Sequence, residues 1–189
     1  MRQVSPIDLP TFDSKTRDLQ VVVETPRGSR IKFDFDPKTT QFKLGGILPE
    51  GMVFPYEFGF LPSTEGGDGD PLDVMVLIDA PTSMGCVVTA RLIGVIEAEQ
   101  TDENKHKCRN DRLIAVATHA HVHGEARKLD DLNRDLVDEI EDFFVAYNQE
   151  RGKLFKPLGR HGPKRAMKLV KQGMKAFRQH RKSVNHHSG

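Results

Sequence analysis

The spacing of hydrophobic residues changes partway along the chain. Up to about residue 118 they form short β-branched or alternating runs, which is the pattern of β-strands. Beyond residue 130 they recur every three or four residues, which predicts helices that bury one face. Strands in near-continuous hairpin order followed by helices predict an α+β, mainly β fold, an antiparallel barrel with helices packed outside. The predicted strands cover residues 21–23, 31–35, 73–79, 86–99 and 111–118.

The first two strands are expected to pair as a hairpin around a turn at residues 26–29. Alternation along the second strand would turn its Ile and Phe side chains to the core, and Lys32 and Asp34 outward or into a cavity. Residues 45–62 are rich in Gly, Pro and aromatics and predict an irregular apolar loop. The polar residues 101–110 predict an exposed hairpin connection.

Two helices close the chain. Asp130 and Asp131 suit the N-cap of the first helix, and Gly152 suits its end. The second helix is expected to begin near Pro163, because proline is tolerated in a first helical turn. The apolar stripe of the first helix consists of Leu132, Leu136, Ile140, Phe143 and Tyr147.

Length and charge indicate one globular domain with two appendages. The 189 residues suffice for a single domain with a sizeable core. We expect an N-terminal arm over residues 1–17, a barrel domain over 18–160, and a basic helix and tail over 161–189. Residues 151–189 contain twelve Lys or Arg and no acid, a charge of +12, whereas the rest has sixteen basic residues against 27 acids, or −11. An acidic body is suited to binding cations, and a basic end is suited to binding an anion.

Targeting and redox signals are weak. The N-terminus does not resemble a signal peptide, and no apolar run approaches membrane-spanning length. With only Cys86 and Cys108, a disulfide framework is not expected. We therefore expect a cytoplasmic protein with two reduced thiols and no membrane partner.

The segment with the clearest chemistry is GDGDPLDV at residues 67–74. Its carboxylates, Asp68, Asp70 and Asp73, would repel one another unless cations or solvent screen them. The glycines and the proline permit a tight turn that directs several oxygens to one centre. Such hard ligands suit Mg²⁺, Mn²⁺ or Ca²⁺ better than zinc. Spacing alone leaves two interpretations open, a metal site and a solvated acidic turn.

Several motifs in the same order resemble the family I soluble inorganic pyrophosphatases, and the chain looks like a divergent member. DGDPLDV at residues 68–74 strongly resembles the family signature Asp-x-Asp-Pro-hydrophobic-Asp. The resemblance covers roughly residues 18–160, and several motifs together are more specific than one. The other matching segments are VVETP at 22–26, IKFD at 31–34, FPYEFGF at 54–60, RLIAV at 112–116, FFVAY at 143–147 and GK at 152–153.

The resemblance implies an OB-like five-stranded barrel with two C-terminal flanking helices, assembled as a homo-oligomer. It also implies hydrolysis of pyrophosphate, or a related phosphoanhydride, with Mg²⁺ or Mn²⁺. Asp70 would be the general base for the water that attacks phosphorus, and Asp73 would bridge metals. The implied metal site consists of Glu24, Asp34, Asp68, Asp70, Asp73 and Asn110. The implied phosphate contacts are Lys32, Arg112, Tyr147 and Lys153.

These residue types suit that chemistry. Pyrophosphate is highly charged, so an approaching nucleophile is repelled until cations neutralise the phosphate oxygens. Divalent metals do this and also lower the pKa of water towards ~7. A carboxylate then has to accept only a modestly acidic proton. Basic side chains stabilise the charge that leaves with the phosphate.

Several positions depart from the family pattern, and these substitutions reduce the number of expected phosphate contacts. The central carboxylates survive, so a metal site is still expected. The losses leave open a slow turnover or a preference for another phosphoanhydride. The substitutions are Asp34 for a Glu, Phe54 and Phe58 for tyrosines, Asn110 for an acid, Asn148 for a Lys, and Gly45 or Gly46 for an Arg.

Two further groups of residues have no assigned role. The longer connecting hairpin contains four acids that cannot be aligned with the family one by one. Three histidines alternate on a predicted strand face, where they could chelate a transition metal or simply form a polar strand edge. The acids are Glu97, Glu99, Asp102 and Glu103, and the histidines are His119, His121 and His123.

Two other functions are alternatives to hydrolysis of pyrophosphate. A pyrophosphatase-like paralogue of low activity would keep metal or phosphate binding. An OB-like barrel with a strongly basic end could bind single-stranded nucleic acid, but such proteins stack bases on exposed aromatics. This chain has no Trp and only two Tyr, and we therefore do not expect a nucleic-acid partner.

Overall fold

The structure, a computed structural model, describes residues 4–102 and 104–186, with side chains up to residue 183. Within these residues the chain forms nine strands and two α-helices. The strands are β1 Leu19–Thr25, β2 Ile31–Asp36, β3 Gln41–Ile47, β4 Glu57–Leu61, β5 Leu72–Leu77, β6 Val87–Thr101, β7 Lys107–Arg109, β8 Arg112–Ala117 and β9 Leu154–His161. The helices are α1 Arg134–Glu150 and α2 Pro163–His186.

Five strands close into a barrel in the described part of the chain. Hydrogen bonds join them in the order β1, β4, β5, β8 and β6, and β6 returns to β1. The predicted five-stranded barrel is therefore confirmed. Four of these pairings are antiparallel as expected, but β5 and β8 run parallel. The parallel pair arises because the chain crosses through β6 and β7 between them, and it aligns Asp73 with Arg112.

The predicted hairpin of the first two strands is wrong. Both edges of β1 are occupied, one by β4 and the other by β6, so β1 has no free edge for β2. Strand β2 pairs instead with β3 in a separate two-stranded sheet. A hydrogen bond from the Phe33 N–H to the Thr25 hydroxyl, 3.0 Å long, joins β2 to the end of β1.

Four of the described strands, β3, β4, β7 and β9, are absent from the sequence prediction. The segment expected to be an irregular loop contains β4, whose residues are all buried in the barrel. The segment between the two helices contains β9, which pairs with the C-terminal half of β6. Pro157 and Gly159 interrupt the alternation in β9 and conceal it in the sequence.

Helix α1 begins later than predicted. Its N-cap is Asn133, whose side-chain oxygen accepts a hydrogen bond from the Asp135 N–H at 2.9 Å. The predicted caps, Asp130 and Asp131, lie in a short 3₁₀ helix instead. The predicted end is confirmed, since Gly152 follows the helix with a φ of +68°. Helix α2 begins at Pro163 as predicted. The fully buried face of α1 is Val137, Ile140, Phe144 and Tyr147, with Asn148.

The barrel interior and the inner face of α1 share one core. No helix within residues 4–102 and 104–186 is long and apolar enough to cross a membrane. The division into arm, barrel and basic tail stays a prediction. The largest fully buried side chains include Phe54, Leu61, Met75, Ile93, Ile96, Phe144 and Ile140.

A buried carboxylate joins α2 to the barrel. The Glu97 side chain on β6 accepts hydrogen bonds from Arg165 of α2 and from Arg109, the latter at 2.8 Å. The hydrogen bond from Arg165, assisted by Arg109, lowers the pKa of Glu97 from 4.5 to about 2, although desolvation opposes this. Glu97 therefore stays ionised in the folded protein well below the pH at which it is protonated in the unfolded chain.

This ion-pair network predicts acid sensitivity. The contribution of Glu97 to the free energy of unfolding is complete above pH 4.5 and is lost as the pH falls towards 2. Glu97→Gln should therefore be less stable than the parent at pH 7, with a difference that shrinks by pH 3. Urea unfolding at both values checks this. Glu125→Gln, which changes a fully exposed acid, serves as the control. A difference that is equal at both values would contradict the prediction.

Gly59 on β4 has no space for a side chain. A Cβ added there would lie 2.0 Å from the Val22 carbonyl oxygen of β1. We expect Gly59→Ala to destabilise the fold by about 3 kcal/mol, the upper end for overpacking. This corresponds to a loss of about 6–12 °C in melting temperature. The control is Gly46→Ala, whose Cβ would meet its nearest atom at an ordinary 3.5 Å. Thermal denaturation measures both variants, and equal melting temperatures would refute the clash.

Candidate active site

The acidic segment forms a closed turn directly before β5. The Gly66 N–H donates to the Asp70 carbonyl at 2.7 Å, and the Asp70 N–H donates to the Asp68 carboxylate at 3.2 Å. Gly69 has a φ of +88°, a conformation that favours glycine. The turn thereby holds Asp68 and Asp70 on the same side of the barrel as Asp73, which lies at the start of β5.

One cavity of about 430 Å³ contains every predicted site residue. It lies between the barrel, the β2–β3 sheet and the end of α1, and eight separate segments of the described chain line it. The predicted residues in its wall are Glu24, Lys32, Asp34, Asp68, Asp70, Asp73, Asn110, Arg112, Tyr147 and Lys153.

Lys32 is a buried cation between two acids. Its ammonium nitrogen lies 2.6 Å from Asp34 Oδ1 and 3.3 Å from Glu24 Oε2. Burial opposes the charge of Lys32, but Glu24 and Asp34 outweigh it, so the pKa of Lys32 is raised. Burial raises the pKa of Glu24 to about 7, although Lys32 and a hydrogen bond from the Phe35 N–H act against this.

The three aspartates of the acidic segment are electrostatically strained. Burial raises the pKa of each aspartate, and repulsion between the carboxylates adds to this effect. The charge of Asp70 further raises the pKa of Asp68, and the charge of Asp73 further raises the pKa of Asp70. A cation beside them would lower all three values. Their donor atoms are oxygens only, which fits a hard divalent cation.

Arg112 satisfies part of this negative charge. The guanidinium group is buried and donates through Nη1 to both Asp73 and Asn110. It packs against the rings of Phe144 and Phe155, with centroid distances of 5.2 and 5.3 Å. Within the described residues, no three His, Cys, Asp or Glu side chains converge on one metal position. Asp73 binds Arg112 instead, and Glu24 and Asp34 bind Lys32.

The cations of the cavity wall only balance its acids. Among the described residues that line it, five carboxylates face four cations, namely Lys32, Arg112, Arg151 and Lys153. The protein therefore has no surplus positive charge for a polyanionic ligand. Additional cations are required if such a ligand is to bind beside the carboxylates.

The acids of the connecting hairpin lie outside this cavity as far as the structure describes them. Glu97 pairs with Arg109 and Arg165, as described above. Glu99 pairs with Lys107 at 3.0 Å, and Asp102 with His106 at 3.3 Å. Glu103 lies outside the described residues. The described hairpin acids thus have partners of their own outside the cavity.

The histidine triplet is not on a strand. Strand β8 ends at Ala117, and His119, His121 and His123 follow in turns. The His121 N–H donates to Asp79, and His123 packs edge-on against Tyr56 at 6.3 Å. A chain that turns does not place alternate side chains on one face.

The substituted aromatic residues differ in their positions. Phe54 is wholly buried and packs against Phe58 and Tyr147 in the core. Phe58 lines the cavity, where its ring lies 5.2 Å from the Lys32 ammonium nitrogen. Asn148 also reaches the cavity, but its amide donates to the Phe144 carbonyl at 2.8 Å.

Sequence reasoning missed two polar residues of the wall. Gln100 accepts a hydrogen bond from the Asn110 amide at 3.1 Å, and no local signal distinguishes it in the sequence. Arg151 donates to the Tyr147 hydroxyl at 2.9 Å. Its position between Tyr147 and Lys153, both predicted, was a signal that could have identified it.

Comparisons with known proteins agree with this arrangement. A family model described as inorganic pyrophosphatase matches residues 21–178. The inorganic pyrophosphatase of Nostoc sp. is 34% identical over 160 residues, covering 85% of this chain and 92% of that protein. The one from Geobacillus stearothermophilus is 35% identical over 84% of this chain and 92% of its own length.

Solved structures give the same result. The crystal structure of the inorganic pyrophosphatase from Thermus thermophilus has a TM-score of 0.82 and 30% sequence identity, covering 93% of this chain and 99% of that one. The family match spans well over half of the chain and includes the acidic turn and all ten predicted residues of the cavity wall. The chain belongs to the inorganic pyrophosphatase family.

Proposed function

We propose that this chain hydrolyses inorganic pyrophosphate to two phosphates in the presence of Mg²⁺, with Mn²⁺ as a substitute. The observation that carries the proposal is the convergence of all ten predicted residues on one cavity. Membership of the family supports the reaction, and the oxygen-only donor set supports a hard divalent cation. The near balance of cations and acids in the wall makes such an ion necessary for a polyanionic substrate.

The residues that would hold the metal are Glu24, Asp34, Asp68, Asp70 and Asp73, with the Asn110 oxygen as a neutral donor. Bound cations would neutralise the phosphate oxygens and lower the pKa of water. Asp73 pairs with Arg112 and Asp34 with Lys32 in this structure. Both cations would be available to phosphate oxygens if these carboxylates bound a divalent cation instead.

Asp70 accepts the proton of the attacking water. Its pKa is raised by burial and by repulsion from Asp73 and Asp34, which favours proton acceptance. Lys153, a cation beside Asp70, and Tyr147 bind oxygens of the substrate. Lys32 and Arg112 stabilise the charge that develops on the departing phosphate.

Cellular context and assembly are part of the proposal. Cys86 and Cys108 are both free thiols, which supports a reducing compartment such as the cytoplasm. A homo-oligomer stays a prediction from the family resemblance. Hydrolysis of another phosphoanhydride, binding without turnover, and nucleic-acid binding are the alternatives that a phosphate-release assay separates from the main proposal.

The role of Asp70 predicts a loss of turnover in Asp70→Asn. The amide keeps the shape but accepts no proton, so we expect phosphate release from pyrophosphate to fall by about 100-fold or more. The assay is run with and without Mg²⁺. Asp130→Asn, at an exposed acid of the α1 approach, should retain parent activity. Undiminished turnover in Asp70→Asn would remove the proposed base.

The metal site predicts saturable uptake of Mg²⁺ by the parent protein. Asp68→Asn should weaken it by at least about tenfold, because loss of an outer-shell partner alone costs 10–100-fold. Isothermal titration calorimetry with MgCl₂, and separately with MnCl₂, measures the dissociation constants. Asp130→Asn is again the control. Equal affinities for the parent and Asp68→Asn would place the metal elsewhere.

A further inference from the structure

Arg151 differs in its partners from Lys32 and Arg112, two other cations of the catalytic cavity. Lys32 and Arg112 are each bonded to carboxylates. Within the described residues, the structure pairs Arg151 with no carboxylate. Its guanidinium donates to the Tyr147 hydroxyl at 2.9 Å and lies over the Tyr147 ring, 5.5 Å from the centroid.

The end of α1 holds Arg151 in this position. Arg151 caps the helix, and its N–H donates to the Asn148 and Gln149 carbonyls. Gly152, with its φ of +68°, then turns the chain so that Lys153 enters the same cavity. Tyr147, Arg151 and Lys153 therefore approach the site together from one end of a rigid helix.

The opposite wall leaves space for the guanidinium. A Cβ on Gly46 of β3 would lie 3.5 Å from Arg151 Nη1, so the arginine rests against bare backbone. Gly45 and Gly46 are the positions at which the sequence lacks the expected arginine. Arg151, which also lines the catalytic cavity, thus provides from α1 a guanidinium that β3 lacks.

Arg151 lies in a wall between two cavities. The catalytic cavity of about 430 Å³ and a neighbouring one of about 470 Å³ share Lys32, Tyr147 and Arg151 as lining residues. The neighbouring cavity has one acid, Glu150, whereas the catalytic cavity has five. Under the proposed function, divalent cations held by those five acids attract a polyanion to the catalytic side of Arg151.

We propose that Arg151 is a substrate-binding residue of this chain that, together with the Tyr147 hydroxyl, binds the oxygens of one phosphate of pyrophosphate. The proposal rests on the proposed function. A guanidinium presents several N–H donors in a fixed plane that matches phosphate oxygens. Since the Tyr147 oxygen accepts from Arg151, its own proton is free to donate to the same phosphate.

The test compares Arg151→Gln with the parent protein. We expect the KM for pyrophosphate to rise about tenfold, since a hydrogen bond to a charged group is lost, while kcat stays within about twofold. The dissociation constant of methylenediphosphonate, which is bound but not cleaved, should rise in parallel. Arg151→Lys, which keeps the charge but lacks the planar arrangement of donors, should give an intermediate value.

The control is Arg134→Gln, which removes an exposed arginine at the other end of α1. It should leave both constants unchanged. An unchanged KM and an unchanged analogue affinity in Arg151→Gln would overturn the proposal, as would a fall in kcat alone. If the parent releases no phosphate but binds the analogue through Arg151, the proposed hydrolysis fails while the binding role stands.

Discussion

The repulsion between carboxylates enclosed in one cavity is the constraint on which the site depends. Burial and mutual repulsion raise the pKa of Asp68, Asp70 and Asp73, so their charges are costly without cations nearby. The protein itself relieves part of this cost with Arg112 and Lys32. Arg112 binds Asp73, and Lys32 binds Glu24 and Asp34, and under the proposed function divalent ions would take over these carboxylates.

The fold explains how acids from distant segments come together. A barrel closed through β1 and β6 puts Glu24 at the end of one strand, and the parallel pairing of β5 with β8 sets Asp73 beside Arg112. Helix α1 covers the barrel end and brings Tyr147 to the same cavity. Glu24, Asp73, Arg112 and Tyr147 therefore lie on strands or a helix with a buried face, whereas Asp68, Asp70, Asn110 and Lys153 lie in the adjoining connections.

The losses of phosphate contacts in this chain have a structural counterpart. Phe54 is a core residue, so its missing hydroxyl leaves no unsatisfied partner. Phe58 places an aromatic face against Lys32 rather than a hydroxyl in the cavity. Asn148 turns its amide to the backbone of α1. Arg151, which reaches the cavity over Gly46, adds a cation at the wall where others are missing.

The sequence by itself determined the chemistry: the short spacing of Asp68, Asp70 and Asp73 and the ordered motifs identified the family, the barrel and ten wall residues. Only the tertiary structure decided which strands pair, because β1 has two edges and local patterns do not say which strand takes them. It also decided the role of Glu97, since an acid's partners depend on residues far away along the chain, here Arg165. Arg151 entered the site for the same reason, through a contact across the cavity with β3.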